Sequence, residues 1–178
     1  MGGQHLDAVR RAQSGDIEAF EELVQTYTPS IYRLGRAWLG DAAAPDVTQE
    51  VFLTAWRELP RLRDADRFKP WLHRIAINRC RSVLRARGKV KEIQIDGGSI
   101  EAAASSPDFR TTIETKTVVA AAFRTLSDDH RTIVALHYAA GLSIREIAET
   151  LDIPGGTVKS RLNSALNALR LQVGEADR

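Results

Sequence analysis

An all-α fold, two small helical domains joined by a flexible linker, is what the sequence predicts, on three observations. Nearly every apolar segment repeats with the helical period of about 3.6 residues. Val/Ile-rich alternation is confined to the short KVKEIQID stretch at 89–96. Between Gly88 and about Arg110 the composition shifts to Gly, Ser, Ala and isolated acids with no sustained apolar stripe, as expected of a linker.

Each element has its own signal. A first helix ends at Ser14-Gly15-Asp16, and Asp16 can cap the second, whose Ile17, Phe20, Leu23, Val24 and Tyr27 form one apolar stripe. Thr28-Pro29 is expected to turn the chain into a third helix carrying Ile31, Leu34, Trp38 and Leu39 and stopping at Gly40. A fourth runs through Val51, Phe52, Ala55, Trp56 and Leu59 to Pro60, and after a polar loop Pro70 opens a fifth that lasts to about Arg87-Gly88. Beyond the linker, Ile113 to Phe123 and Thr132 to Tyr138 suggest two more helices, with Ser127 as a cap and Gly141 as a stop. Ser143 with Glu146 makes a capping box for IREIAETL, and DIPGG separates that helix from TVKSRLNSALNALR. The expected division is therefore a first domain over residues 5–88, a linker over 89–111 and a second domain over 112–173.

Composition narrows the function. With 178 residues, 43% hydrophobic and 27% charged, the chain can bury a core, and its net charge of only +2 means that any affinity for a polyanion must come from local clustering. The single cysteine, Cys80, can form no internal disulfide, which fits a reducing cytoplasmic setting. The opening residues show no apolar signal core, and no stretch approaches the roughly 20 apolar residues of a membrane span, so neither export nor membrane insertion is expected. Catalysis would need a nucleophile with its base, paired carboxylates, a metal cluster or a phosphate-cradling loop. Gly97-Gly98 and Gly155-Gly156 lack the context of a phosphate loop, and His73 with Cys80 supplies too few ligands for zinc. No enzyme, metal or cofactor is expected.

The last two helices have the form of a helix-turn-helix, in which the second helix lies in the DNA major groove. Ile144, Ile147, Ala148 and Leu151 face inward on the first, and Val158, Leu162, Leu166 and Leu169 on the second. At about 100° per residue, Thr157, Ser160 and Ser164 fall opposite that stripe, with Lys159 and Arg161 on its shoulders. These five, with Ser143 at the start of the preceding helix, are the candidate contacts to DNA.

A second anionic partner is implied by the fifth helix. From Arg67 to Lys91 there are nine lysines and arginines and no carboxylate. On a helical wheel Arg74, Asn78, Arg81 and Arg85 share an arc of roughly 60°. Trp71 borders the arc, and the loop RLRDADRF adds Arg61, Arg63 and Arg67, with Lys69 just beyond. Cations beside a stacking ring suit unstacked bases. The fourth helix presents the opposite chemistry. Asp46, Gln49, Glu50 and Arg57 surround Leu53 opposite the Phe52/Ala55/Trp56 side, an apolar centre with a polar rim suited to a protein partner.

The blocks DVTQEVFLTAWREL, RFKPWLHRIAINRCRSVLRAR and LSDDHRTIVALHYAAGLSIREIAETLDIPGGTVKSRLNSALNALR together resemble the extracytoplasmic-function group of bacterial sigma factors of the sigma-70 family. The resemblance spans about residues 5 to 171 and implies a non-catalytic specificity subunit of RNA polymerase that directs promoter recognition and strand opening. It implies that Asp46, Gln49, Glu50, Leu53 and Arg57 dock on the beta-prime clamp coiled coil of core polymerase. It implies too that the basic helix and its preceding loop recognise and melt the minus-ten element. There Asn78 stands at the motif asparagine, the loop from Arg61 to Phe68 receives a flipped base, and Arg74, Arg81 and Arg85 hold phosphates. The second domain would read the minus-thirty-five element and meet the beta flap, and an anti-sigma protein is a further candidate partner.

The residues depart from the family pattern at three points. Pro45 stands where an acid is usual and would shorten the docking helix so that Asp46 caps it. Asp152 replaces the glycine common at the bend, and Gly155 a larger residue. The alternative from another class is a stand-alone helix-turn-helix regulator with an N-terminal sensor or dimerisation domain, against which the acid-free basic helix argues.

Overall fold

The computed structural model describes the backbone of residues 2–95 and 121–176 and the side chains of residues 4–87 and 121–172. Four helices make the first unit: α1 (Gly2–Gln13), α2 (Ile17–Leu39), α3 (Ala44–Glu58) and α4 (Phe68–Ile95). Two single-turn 3₁₀ segments, Leu59–Arg61 and Ala65–Arg67, link α3 to α4. In the second unit residues 121–125 are helical. They are followed by α5 (Asp128–Val134), a π turn over Ala135–Ala139, α6 (Ile144–Leu151) and α7 (Gly155–Ala176).

Local chemistry accounts for most boundaries. The Asp16 side chain accepts from the Ala19 N–H at the start of α2, and Ser127 does the same for His130 at the start of α5. Gly40 ends α2 at φ 85°, a conformation costly for any residue with a Cβ. The π turn closes with the Ala140 N–H donating to Ala135 O and the Leu142 N–H to Leu136 O, through Gly141 at φ 74°.

Three expectations are corrected. Thr28-Pro29 does not turn the chain: α2 passes straight through Pro29. Leu23, Tyr27, Ile31 and Leu34 are buried on one continuous face spanning the proline, and that burial outweighs the roughly 3 kcal/mol disfavouring proline in a helix. Nor does Pro45 shorten α3; it occupies the first turn, where no intrahelical donor is needed, and Ala43, not Asp46, is the cap. The helix expected to end near Gly88 runs on to Ile95 and takes in most of KVKEIQID, so the first seven residues assigned to the linker are helical. Residues 96–111 of the linker, and most of the helix expected over Ile113 to Phe123, lie outside the described residues. The two units also pack against one another. Their buried apolar side chains form one cluster, in which Leu34, Phe68, Leu72 and Ile77 of the first unit join Ile133, Leu136, Leu142 and Ile147 of the second.

Candidate nucleic-acid and protein interfaces

The outer face of α3 presents Leu53, 48% exposed, among the exposed Asp46, Gln49 and Arg57. Its partner face supplies the buried Val47, Val51, Phe52 and Ala55 that fix the helix on α2. Glu50 is half-buried and ion-paired with Arg79 of α4, so it ties α3 to α4 as well as facing outward. Leu53 also borders a groove of about 620 Å³ between α2 and α3, floored by Phe20, Phe52 and Trp56 and flanked by Ile17, which is 63% exposed. Ile17 belongs to the apolar stripe expected of α2, but as the first residue of the helix it falls at the edge of that stripe.

On α4 the cations that share the wheel arc all turn toward the second unit. Arg74 Nε donates to Thr150 O at 2.8 Å, at the carbonyl end of α6, where a cation is favoured. Arg81 contacts Asp128 Oδ2 at 2.7 Å and Thr132 Oγ1 at 3.2 Å. Lys69, one turn before Arg74, pairs with Glu146. Arg85 lines a cleft of about 370 Å³ with Arg81, Asp128 and Arg131. Asn78 is exposed between these contacts, as are Arg63 and Arg67 in the loop, while Arg61 pairs with Glu58 at 2.8 Å. Trp71 is half-buried, 5.7 Å from the Phe68 ring, and with Leu62, Arg67, Pro70 and Arg74 lines a cavity of about 170 Å³ that Glu149 of α6 closes from the other side.

In the helix-turn-helix the capping box is complete. Ser143 Oγ accepts from the Glu146 N–H, and the Glu146 carboxylate accepts from the Ser143 N–H. The Ser143 hydroxyl thus serves α6 itself. Asp152 adopts φ 57°, ψ 48°, the left-handed bend that glycine would take at least cost. On α7, Val158, Leu162 and Ala165 are buried, Lys159, Ser160 and Ser164 exposed, and Thr157 half-buried. Arg161 is held by Asp129 Oδ2 at 2.8 Å. The acids Asp128 and Asp129, and their two arginine partners, are the feature that sequence reasoning missed. In SDDH they read only as favourable charges in a helix first turn.

Electrostatics follows burial. Wholly buried His73 is pushed down to about 4 by desolvation; its Nδ1–H donates to Lys69 O at 2.8 Å and its Nε2 lies 3.3 Å from Ser30 Oγ. Burial pushes the Cys80 thiol up to about 12. Burial works to raise the Glu146 carboxyl, but Lys69 and the hydrogen bonds from Ser143 outweigh it and leave the group below its ordinary value. Among the described residues no group of three or more His, Cys, Asp or Glu could hold a metal ion, and no helix is long and apolar enough to cross a membrane.

An arginine-striped helical unit followed by a helix-turn-helix defines a DNA-binding transcription protein. The sigma-70 region 2 model matches residues 23–90 and the sigma-70 region 4 model residues 122–171. The chain is 33% identical over 171 residues to the ECF RNA polymerase sigma-E factor of Escherichia coli (strain K12), covering 90% of each. It is 32% identical over 182 residues to the ECF sigma factor SigW of Bacillus subtilis (strain 168), covering 93% of this chain and 94% of the relative. Among solved structures it is similar to CnrH in complex with the cytosolic domain of CnrY, at TM-score 0.75 and 25% identity over 98% of this chain and 99% of that one. It is also similar to the sigma factor RpoE in complex with the anti-sigma factor NepR from Bartonella quintana, at TM-score 0.66 and 27% identity over 89% and 98% of the two chains. The chain belongs to the extracytoplasmic-function group of the sigma-70 family. It is an alternative sigma factor directing transcription initiation, which displaces the stand-alone regulator as a reading of the helix-turn-helix.

Proposed function

We propose that α3 is the docking surface for core RNA polymerase, that α4 and the loop before it engage and open the minus-ten region, and that α7 reads the minus-thirty-five region. In this scheme the unit of residues 5–88 does the first two tasks, residues 112–173 the third, and residues 89–111 tether them. One observation supports the scheme above others. On one rigid helical unit, Leu53 stands exposed in a polar rim on α3 that includes the carboxylates of Asp46 and Glu50, while Arg74, Asn78, Arg81 and Arg85 line a different helix. A carboxylate face and a guanidinium face cannot serve one partner, so two partners are required. Asp46, Gln49, Glu50, Leu53 and Arg57 are the polymerase contacts. Arg61, Arg63, Arg67, Lys69, Trp71, Arg74, Asn78, Arg81 and Arg85 serve the minus-ten strand. The cavity beside Trp71 is the receptor for an unstacked base, having a ring on one side and guanidiniums on another. Thr157, Lys159, Ser160, Arg161 and Ser164 face the minus-thirty-five duplex, with Ser143 framing the helix before them. Two proteins of similar architecture are seen in complexes, RpoE with the anti-sigma factor NepR and CnrH with the cytosolic domain of CnrY, and an anti-sigma protein is proposed as a partner of this chain too.

The test is reconstitution with bacterial core polymerase, followed by mapping of initiation sites on genomic DNA. Leu53→Glu is expected to weaken polymerase binding by about tenfold or more, equivalent to ~1.4 kcal/mol, with an unchanged helical circular dichroism spectrum. Glu50→Lys should do the same, and because it also breaks the pair with Arg79, Leu53→Glu is the cleaner variant. Unchanged affinity in both would remove α3 from the interface, and initiation at random sites would reject the whole assignment.

A further inference from the structure

The loop between α3 and α4 has few ties of its own to the fold. Arg63, Asp64, Asp66 and Arg67 are exposed. Its internal bonds, from the Asp66 N–H to Asp64 Oδ1 and from the Arg67 N–H to Asp64 O, close one turn without fixing where that turn sits. Wholly buried Leu59 and Phe68 mark its two ends. Helix α1, which lies ahead of the region 2 match beginning at residue 23, reaches both. At the first end Gln13 Nε2 donates to Leu62 O at 2.6 Å and to Leu59 O at 3.3 Å, across 49 and 46 positions of sequence. An amide NH₂ carries two donors, and both are committed to carbonyls of this loop. Among the described residues no other side chain from a distant element hydrogen-bonds to residues 59–67. At the second end the His5 ring meets the Phe68 ring edge-on at 6.0 Å, and His5 Nε2 lies 3.0 Å from the Tyr27 hydroxyl. Between these two points Ala8, Val9 and Ala12 bury α1 against the unit.

We propose that Gln13 is a positioning residue for promoter opening: by holding the Leu62 carbonyl it sets the spacing between Leu62 and Trp71 that admits one unstacked base, with α1 as the brace of the loop. This rests on the reading of the Trp71 cavity as a base receptor and adds what shapes it. Leu62 is one wall of that cavity, and Trp71, Arg67, Pro70 and Arg74 are others. Trp71 is fixed on α4 beside the buried Phe68 ring, 5.7 Å away. The opposite wall belongs to a loop, and its place is set by where α1 grips the backbone. A recognition site keeps its geometry only when neighbouring groups lock the residues that line it. Without the tie the loop would have to be ordered as the base enters, and the lost freedom would be subtracted from base affinity. Gln13 is neither one of the α3 polymerase contacts nor one of the cations assigned to the strand, so its effect should be confined to the base that enters the cavity.

The test uses holoenzyme reconstituted from core polymerase and the full chain. Its probe is a labelled single-stranded oligonucleotide carrying the mapped minus-ten sequence, with each base made abasic in turn. In wild type one position is expected to lose at least about tenfold in affinity when its base is removed, within the range that stacking on a ring supplies. Gln13→Glu is nearly isosteric, and its ionised carboxylate has no donor to offer the two carbonyls. In this variant the penalty at that position should fall below about threefold, while affinity for the oligonucleotide abasic there, and for core polymerase, stays unchanged. Such coupling between one residue and one base is not produced by a general loss of stability. Gln13→Lys keeps a donor at similar reach and should retain the wild-type penalty. An undiminished penalty in Gln13→Glu overturns the positioning role and leaves the base receptor standing. A loss spread evenly over every oligonucleotide, or a penalty as low in Gln13→Lys as in Gln13→Glu, overturns it too. No sensitive position in wild type overturns instead the reading of the cavity on which the proposal rests.

Discussion

His73 shows how one side chain can couple folding to pH. It lies wholly buried in the aromatic cluster of the first unit, 6.3 Å from the Tyr27 ring, with Nδ1–H committed to Lys69 O. Desolvation disfavours the imidazolium and lowers the folded value to about 4 from 6.5. Between those values the unfolded chain binds the extra proton. The stability contribution is therefore complete above pH 6.5 and is lost as pH falls toward 4, at up to about 1.4 kcal/mol per pH unit. His5, lowered in the same direction by burial first and Lys69 second, adds to the slope. Urea unfolding at pH 7.5 and 5.5 should show the decline, and His73→Asn should flatten it even where the substitution lowers stability overall. A slope unchanged in His73→Asn would show that the imidazole carries no protonation linkage.

At the scale of the element, the bend between α6 and α7 carries a cost that can be removed. Asp152 is exposed and sits at φ 57°, a region that disfavours any Cβ by roughly 1–2 kcal/mol, partly offset by the greater freedom glycine brings to the unfolded chain. Asp152→Gly should therefore stabilise the protein by about 0.5–1 kcal/mol, seen as a higher urea midpoint with an unchanged slope. A lower midpoint would mean that the carboxylate makes a compensating interaction with the bend. Helix α2 illustrates the opposite balance. The local disadvantage of Pro29 is tolerated because Tyr27 and Ile31, on either side of it, are both buried in the same core.

For the whole molecule, the tether matters more than either unit. Two modest DNA contacts joined on one chain reinforce each other only when both can be reached at once. Once a promoter is mapped, changing the spacing between its two elements by half a helical turn, about 5 base pairs, should lower initiation by reconstituted polymerase by at least about tenfold. Equal transcription from both spacings would mean that one unit alone carries recognition.

Helix type, caps and faces were legible from the chain because each depends on residues a few positions apart. The capping box of Ser143 and Glu146, the Asp16 cap, the stop at Gly141 and the outward Leu53 are all consequences of local periodicity and short-range hydrogen bonding. The arginine arc on α4 was legible for the same reason. Its partners were not. Lys69 and Glu146 are 77 positions apart, and Arg74 and Thr150 are 76 apart. Nothing in the local pattern distinguishes an acid that caps its own helix from one that also neutralises a distant ammonium, as Glu146 does for Lys69. The continuity of α2 through Pro29 was likewise settled by a shared core and not by propensity. The sequence by itself determined which helices form and which surfaces are charged. Only the tertiary structure decided that two of those surfaces meet, because pairing between distant charges depends on where the common core brings the helices.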